Sequence, residues 1–340
     1  MRTTVRGSIK RTRAKGTERM LDAGNSAGLL RAELAARNRV YARGRNAVES
    51  YGSEPVVVYA PEDGRHGNFF DAAYAAIEAK AEWARRFNKV HAQAARSLPK
   101  AERRWRELDS STSSDALLMN VFCTPGVCAS AAVRGLVGAE ADGEPEFGWK
   151  ARVPLKSGRL DRTEVDMRWG DLLVEAKLTE TDFQTCRAEV VGAYRDFDAV
   201  FEVDELPRVA IAVARQQTEE EFPEEYTQEE VRVRAETWER PRVLVPRRTV
   251  EGFAGYQLIR NVLAAEATGA SFCVVHDERR PDLREMWFGV MRAVRGAELR
   301  TRLRVLTWQE LAAVLPEELQ VFLDAKYGIV APGVWPTTVG

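Results

Sequence analysis

The apolar positions along the chain change period several times, and each change marks an element. From Phe70, the residues Phe70, Tyr74, Ile77, Ala81, Ala84, Phe87, Val90 and Ala94 recur at steps of three and four, the spacing of one helical face. Pro99 follows that helix, and a shorter one carries Trp105 and Leu108. The cap-rich run Ser110 to Ser114 precedes the apolar stretch Ala116 to Phe122 and predicts a helix start. Strand-like runs from Arg162 to Arg168 and from Leu172 to Thr179 flank Trp169-Gly170-Asp171, a tight hairpin signal. Thr181-Asp182-Phe183-Gln184 reads as a capping box opening a helix to about Phe197. Val209 to Val213 is fully apolar, the pattern of a buried sheet centre.

Downstream, helix and strand signals alternate. Tyr256 to Ala267 is helical and Ser271 to Val275 is strand-like. Leu283, Trp287, Val290, Met291 and Val294 mark a further helix, and Leu303 to Leu306 a strand. Thr307-Trp308-Gln309-Glu310 is a second capping box leading into the last helices. Upstream, Val56 to Tyr59 is a short apolar run followed by the turn-prone Pro61-Glu62-Asp63-Gly64. This order divides the chain into a basic, loosely ordered arm (1–50, with Ser26 to Arg39 helical), a helical extension (51–109), an α/β layered domain with a mixed sheet (110–327) and a tail (328–340).

Composition adds local detail. The 340 residues are 45% apolar, enough to bury a sizeable core. Lys and Arg total 50 against 51 Asp and Glu, so the net charge is close to zero, yet the distribution is uneven. Through Arg19 the one acid is Glu18, against Arg2, Arg6, Lys10, Arg11, Arg13, Lys15 and Arg19. That arm reads equally well as a phosphate-contacting segment and as a solubilising tail. Glu219 to Glu230 holds seven Glu and no base, inside an acidic insertion expected over 215–240. Cys123, Cys128, Cys186 and Cys273 are too few and too scattered for a disulfide framework or a zinc site. No apolar run reaches the ~20 residues of a membrane span, and the basic start lacks the apolar stretch of a secretory signal. A soluble, cytoplasmic protein is expected.

The chemistry is concentrated in Thr163-Glu164-Val165-Asp166-Met167-Arg168-Trp169-Gly170-Asp171-Leu172-Leu173-Val174-Glu175-Ala176-Lys177. Side chains alternate along a strand, so Glu175 and Lys177 share a face while Leu172, Val174, Ala176 and Leu178 point to the other. With Trp169-Gly170 as a two-residue turn, Asp166 lies diagonal to Glu175, about 7–8 Å away at the backbone. A four-residue turn sets the two directly opposite. Either register puts Asp166, Glu175 and Lys177 on one face. Two carboxylates on adjacent strands suit Mg²⁺, a hard cation that takes oxygen ligands and keeps several waters. An ammonium beside them can orient a water or stabilise developing charge.

Asp, a short gap and Glu-x-Lys on the second strand of a hairpin resemble the signature of the PD-(D/E)xK, restriction-endonuclease-like nucleases. Ser113 to Phe122, Thr163 to Asp166, Tyr256 to Asn261 and Leu306 to Leu311 are similar to motifs of one bacterial branch. Val165 stands where the superfamily name has Pro, and Asp115 where that branch has Gln. The resemblance covers roughly residues 110–320. It implies an αβββαβ core with a mixed sheet flanked by helices, and a nuclease acting on DNA, with RNA the alternative, in defence, restriction or repair. It implies Asp166, Glu175 and Lys177 as the catalytic set, and Mg²⁺ or substituting Mn²⁺ on Asp166, Glu175 and the Ala176 carbonyl. Glu164, Asp115 and Gln257 are its accessory candidates.

The rival reading is the same fold, catalytically idle, gripping nucleic acid or a partner protein. A homodimer is one candidate partner; a separate ATPase or defence partner is another, since the chain has neither a G-x-x-x-x-G-K loop nor a G-x-G-x-x-G turn and any DNA translocation would need an ATPase from elsewhere. Tyr194 reads as a core residue and Arg195 as a solvated one. Arg260 reads equally as a phosphate contact and as a structural ion pair. His276-Asp277 reads as a strand end.

Overall fold

The computed structural model describes residues 12–49, 56–89, 106–140, 143–162, 164–213 and 248–333. Trp105, Pro99, Val90, Ala94 and the acidic insertion at 215–240 lie outside these residues.

A five-stranded mixed sheet carries the site. Its strands are β1 (Glu146–Lys150), β2 (Glu164–Trp169), β3 (Leu172–Ala176), β7 (Ser271–His276) and β8 (Leu303–Thr307), in the spatial order β8-β7-β3-β2-β1. Strands β1, β2 and β3 are antiparallel neighbours, whereas β7 runs parallel to both β3 and β8. Central β3 is buried along its whole length. A second, antiparallel sheet of β4 (Thr185–Arg187), β5 (Arg208–Val213) and β6 (Arg248–Ala254) is ordered β4-β6-β5.

Helices cover both faces of the large sheet. In chain order they are α1 (Thr12–Tyr41), α2 (Asp71–Glu78), α3 (Ser114–Phe122), α4 (Ala131–Val137), α5 (Tyr256–Thr268), α6 (Pro281–Met291), α7 (Trp308–Ala312) and α8 (Glu317–Tyr327). Leu172, Val174, Ala176 and Leu178 pack with α1, α3, α4, α7 and α8 in one core, while Leu173 packs with α5 and α6 in the other. The alternation read from the sequence therefore separates two cores. The succession α3, β1, β2, β3, α5, β7 is the αβββαβ order the resemblance implies, with the small sheet set between β3 and α5. Among the described residues, no helix is long and apolar enough to cross a membrane.

Several elements differ from their sequence reading. The helix expected from Phe70 breaks after Glu78, because Lys80 turns extended before the short helices Ala81–Ala84 and Arg85–Asn88. Leu108 sits in a 3₁₀ turn, Glu107–Asp109. No long helix follows Thr181. Asp182 Oδ1 accepts the Gln184 N–H at 2.7 Å, an Asx turn that competes with a helix start. Gln184 takes φ +63° and the chain enters β4, with only one-turn helices at Ala188–Val191 and Phe197–Val200 beyond. The run Val209 to Val213 is no sheet centre, for β5 is the edge of the small sheet with Ala210 and Ala212 exposed. Short apolar runs carry no information about which sheet they join.

The N-terminal segment, read as loosely ordered, is helical from Thr12, and its second half is docked. Leu30 and Leu34 enter the first core, where Leu323 and Tyr327 of α8 also pack. Arg31 Nη2 donates to the Thr179 carbonyl at 2.9 Å, and Arg37 Nη1 to that of Asp324 at 2.8 Å. Arg279 bridges to Glu33 at 2.6 Å. Leu34 is fully buried, so Leu34→Ala should cost about 2–5 kcal/mol. Guanidinium denaturation reads this as a lowered midpoint at unchanged slope. An unchanged midpoint would mean that α1 contributes nothing to the fold.

Candidate functional site

The hairpin register places the two carboxylates face to face. Trp169 pairs with Leu172, Arg168 with Leu173 and Met167 with Val174, so the loop is Gly170-Asp171 and Asp166 comes next, opposite Glu175. Gly170 supplies the positive φ, +59°, that this tight turn requires. Trp169 does not turn, because its ring is buried against Phe122 and its Nε1 donates to the Gly143 carbonyl at 2.9 Å. The main-chain ladder stops at Met167–Val174. Beyond it the Ala176 N–H donates at 2.8 Å to Asp166 Oδ2.

A kink aims Asp166. Strand β1 pairs with β2 on either side of Gly148 and Asp166, but not at that pair. Gly148 has φ +66°. Val165 and Met167, two residues apart, pack in opposite cores. A Cβ at Gly148 would overlap Arg86 Nη1 and lie 2.9 Å from Glu164 Oε1. Gly148→Ala should therefore destabilise the protein by about 1–3 kcal/mol through left-handed strain and break the Arg86–Glu164 pair. A thermal melt checks the first effect, and an unshifted melt would mean that the kink tolerates a side chain.

Lys177 is fixed through its main chain and its charge. Its N–H donates to the Val275 carbonyl at 2.8 Å, extending the parallel ladder with β7. Its carbonyl accepts from Trp308 Nε1 at 3.0 Å. Trp308 opens α7 behind Thr307, and both hydrogen bonds of that capping box form, as the sequence predicts. Lys177 Nζ donates to Glu175 Oε1 at 2.7 Å, with Glu175 only 1% exposed. The other carboxylate oxygen, Oε2, accepts from Asn261 Nδ2 of α5 at 2.8 Å. Glu180 accepts the Leu178 N–H at 2.7 Å and a hydrogen bond from the Ser114 hydroxyl.

Electrostatics follow from this packing. Burial and the facing Glu175 push the Asp166 carboxyl well above the usual carboxylate range, and Asp115 adds to the push; Lys177 and the Ala176 N–H oppose it. Burial works to lower the Lys177 ammonium, but Glu175, Asp166 and Glu180 outweigh it and hold it above the usual lysine value.

Beside the pair lies a charged cluster. Asp115, the first-turn acid of α3, accepts from Arg86 Nη2 at 2.6 Å and Lys89 Nζ at 3.0 Å. These cations overcome burial and hold its carboxyl below the usual range. Arg86 Nη1 also donates to Glu164 Oε1 at 3.0 Å, which links both accessory acids through one guanidinium. From α5, the side chain that meets Glu175 is Asn261, one turn beyond Gln257. Arg260, buried beside it, donates from Nη2 to the Glu164 carbonyl at 2.7 Å. Tyr194 is a core residue whose hydroxyl donates to Asp161 at 2.6 Å, while Arg195 pairs with Asp196 at the surface. His276 is buried, with Nδ1 2.8 Å from the Asp277 carbonyl.

Arg86, Lys89 and Asn261 are not among the site residues expected from the sequence, although Asn261 ends one of the motifs that carry the resemblance. For Asn261 a signal existed. Arg260-Asn261 is a polar pair inside the apolar run Leu258 to Leu263, and buried polar groups need partners.

Among the described residues, no group of three or more His, Cys, Asp and Glu side chains is placed to hold a metal. What the site offers is two carboxylates and a main-chain oxygen. Asp166 Oδ1 makes no hydrogen bond among the described residues. Ala176 directs its N–H toward Asp166, so its carbonyl faces the same strand edge. An all-oxygen set with few protein ligands, two carboxylates and one ammonium fits a hard, water-retaining cation such as Mg²⁺.

A family model described as restriction endonuclease associating with ARP matches residues 32–328. The matched span takes in β1, β2, β3, α5 and β7, and hence every side chain of the site. No curated protein and no solved structure matches the chain.

Proposed function

The chain belongs to the family of restriction endonucleases associating with ARP, and from that premise we propose that it is a Mg²⁺-dependent nuclease that hydrolyses DNA phosphodiester bonds. The observation that carries this reading is the Asp166–Glu175–Lys177 arrangement, in which half-buried Asp166 and buried Glu175 lie on adjacent strands and Glu175 also holds the buried ammonium. The Asp166 and Glu175 carboxylates and the Ala176 carbonyl would hold the cation, with Mn²⁺ as its substitute. Mg²⁺ bound there supplies Lewis-acid polarisation of the phosphoryl group and a more acidic water.

The chain's own residues do the rest. Glu175 keeps Lys177 at the site, where its ammonium stabilises the negative charge that develops on the phosphate oxygens or orients the attacking water. Trp308 and β7 hold the Lys177 main chain, so that charge is preorganised. Glu164 and Asp115 are accessory acids whose charges Arg86 and Lys89 offset, and Gln257, half-buried in the first turn of α5, is the third accessory candidate. ARP, the partner in the family's description, is carried to this chain as part of the same proposal, as is a role in defence, restriction or repair.

The test is incubation of the full chain with supercoiled plasmid and single-stranded DNA, in Mg²⁺, in Mn²⁺ and in chelator. Cutting in either metal but not in chelator is expected. No cutting, together with no Mn²⁺ binding by calorimetry, would leave the idle module that grips nucleic acid or a partner protein.

A further inference from the structure

Glu175 has a partner that the nuclease reading does not use. Asn261 is completely buried and spends its Nδ2 on Glu175 Oε2 at 2.8 Å. Its Oδ1 accepts from Arg260 at two points, Nε at 3.2 Å and Nη2 at 3.0 Å. Arginine has donors and no acceptor. The Asn261 amide can therefore stand only one way round, with its oxygen toward Arg260 and its N–H₂ toward Glu175. Rotating it would set oxygen against carboxylate and nitrogen against guanidinium.

Arg260 is itself buried, 3% exposed, and among the described residues it forms no salt bridge. A buried cation without a facing acid is costly unless its charge is used elsewhere. Here the charge polarises an amide that bonds a carboxylate. Its Nη2 also donates to the main-chain carbonyl of Glu164, two residues before Asp166 on β2. One guanidinium thus fastens the strand that carries Asp166 and, through Asn261, the carboxylate of Glu175.

We propose that Asn261, oriented by Arg260, is a positioning residue that fixes the Glu175 carboxylate, and its spacing from Asp166, for the divalent cation. Lys177 holds Oε1 and Asn261 holds Oε2, so the rotation of the carboxyl group is set before any cation arrives. The proposal rests on the metal-nuclease reading, and its test separates the two.

Mn²⁺ binding is titrated by calorimetry on the full chain as wild type, Asn261→Ala, Arg260→Gln, the double variant and Asp166→Asn, well below each melting temperature. Asn261→Ala should weaken Mn²⁺ by about 10–100-fold, the usual effect of removing a hydrogen bond that orients a ligating carboxylate. Arg260→Gln should weaken it in the same direction. The double variant should bind no worse than the weaker single one, because both changes interrupt one chain of contacts. Raising Mn²⁺ should restore cleavage to Asn261→Ala and not to Asp166→Asn.

If Asn261→Ala binds Mn²⁺ as wild type does while Asp166→Asn does not, the positioning role is overturned and the metal site stands. If wild type binds no Mn²⁺, or Asp166→Asn binds it as wild type does, the nuclease reading falls and takes this proposal with it. If both single variants lose cooperative unfolding, the pair is a folding element and the proposal is likewise overturned.

Discussion

Lys177→Met should both weaken the fold and stop the chemistry. The Lys177–Glu175 pair is 2.7 Å long and nearly solvent-free, at 6% and 1% side-chain exposure. Removing one partner of such a pair leaves an uncompensated buried charge and costs about 3–5 kcal/mol. Asn261 would remain on Oε2, but as a neutral donor it cannot replace the ammonium. The loss of Lys177 also removes the cation that opposes the upward push on Asp166. Cleavage should fall by about 100–1000-fold, the usual effect of deleting one preorganised stabiliser of transition-state charge. Guanidinium denaturation and initial rates on plasmid measure the two effects. A variant that is destabilised yet cuts at the wild-type rate would give Lys177 a structural role alone.

Asp166→Asn should act in the opposite sense on stability and in the same sense on cleavage. Folding raises the Asp166 pKa through burial and through Glu175. A carboxyl raised in the folded state contributes stability that is complete below its unfolded value, about 3.9, and is lost as pH rises through the folded value. Near neutrality and in chelator, the carboxyl group is thus a cost to the fold. Asparagine removes that cost, and its carbonyl oxygen can still accept the Ala176 N–H. The variant should melt above wild type in chelator, with the gap closing toward about pH 4.

Asp115, whose carboxyl is lowered by Lys89 and Arg86 against its burial, works in the other direction. Its contribution is lost as pH falls through its folded value. That loss falls below about pH 4, outside the window in which the gap closes. Added Mg²⁺ should raise the melting temperature of wild type and leave Asp166→Asn unmoved, with cleavage lost in the variant. Equal melting in chelator would mean that Asp166 is not held under charge strain.

What the sequence made legible was local. Period-two alternation put Glu175 and Lys177 on one side of a strand and four apolar residues on the other, and the two cores divide along that line. The second capping box is formed, and the Ser113 hydroxyl caps α3 by accepting the Ala116 N–H at 3.1 Å. Loop chemistry left two registers open. The choice between them was made by Trp169, whose burial against Phe122 keeps it in the strand and passes the turn to Gly170-Asp171. Thr181-Asp182-Phe183-Gln184 misled because Asp182 satisfies an Asx turn as readily as a helix cap.

The rest depended on contacts far apart in the chain. Arg86 meets Glu164 across 78 residues, and Asn261 meets Glu175 across 86. No window on the sequence spans such distances. The docking of α1 is of the same kind, since its weakly patterned second half is anchored by α8, by Arg279 and by the Thr179 carbonyl.

The most direct measurement is the Mg²⁺-dependent nicking rate of supercoiled plasmid by wild type, Asp166→Asn and Lys177→Met. All three would be purified in parallel and verified as folded at the assay temperature. The predicted result is cutting by wild type in Mg²⁺, none in chelator, and loss of cutting in both variants. Wild-type rates from both folded variants would contradict the assignment of the chemistry to this site.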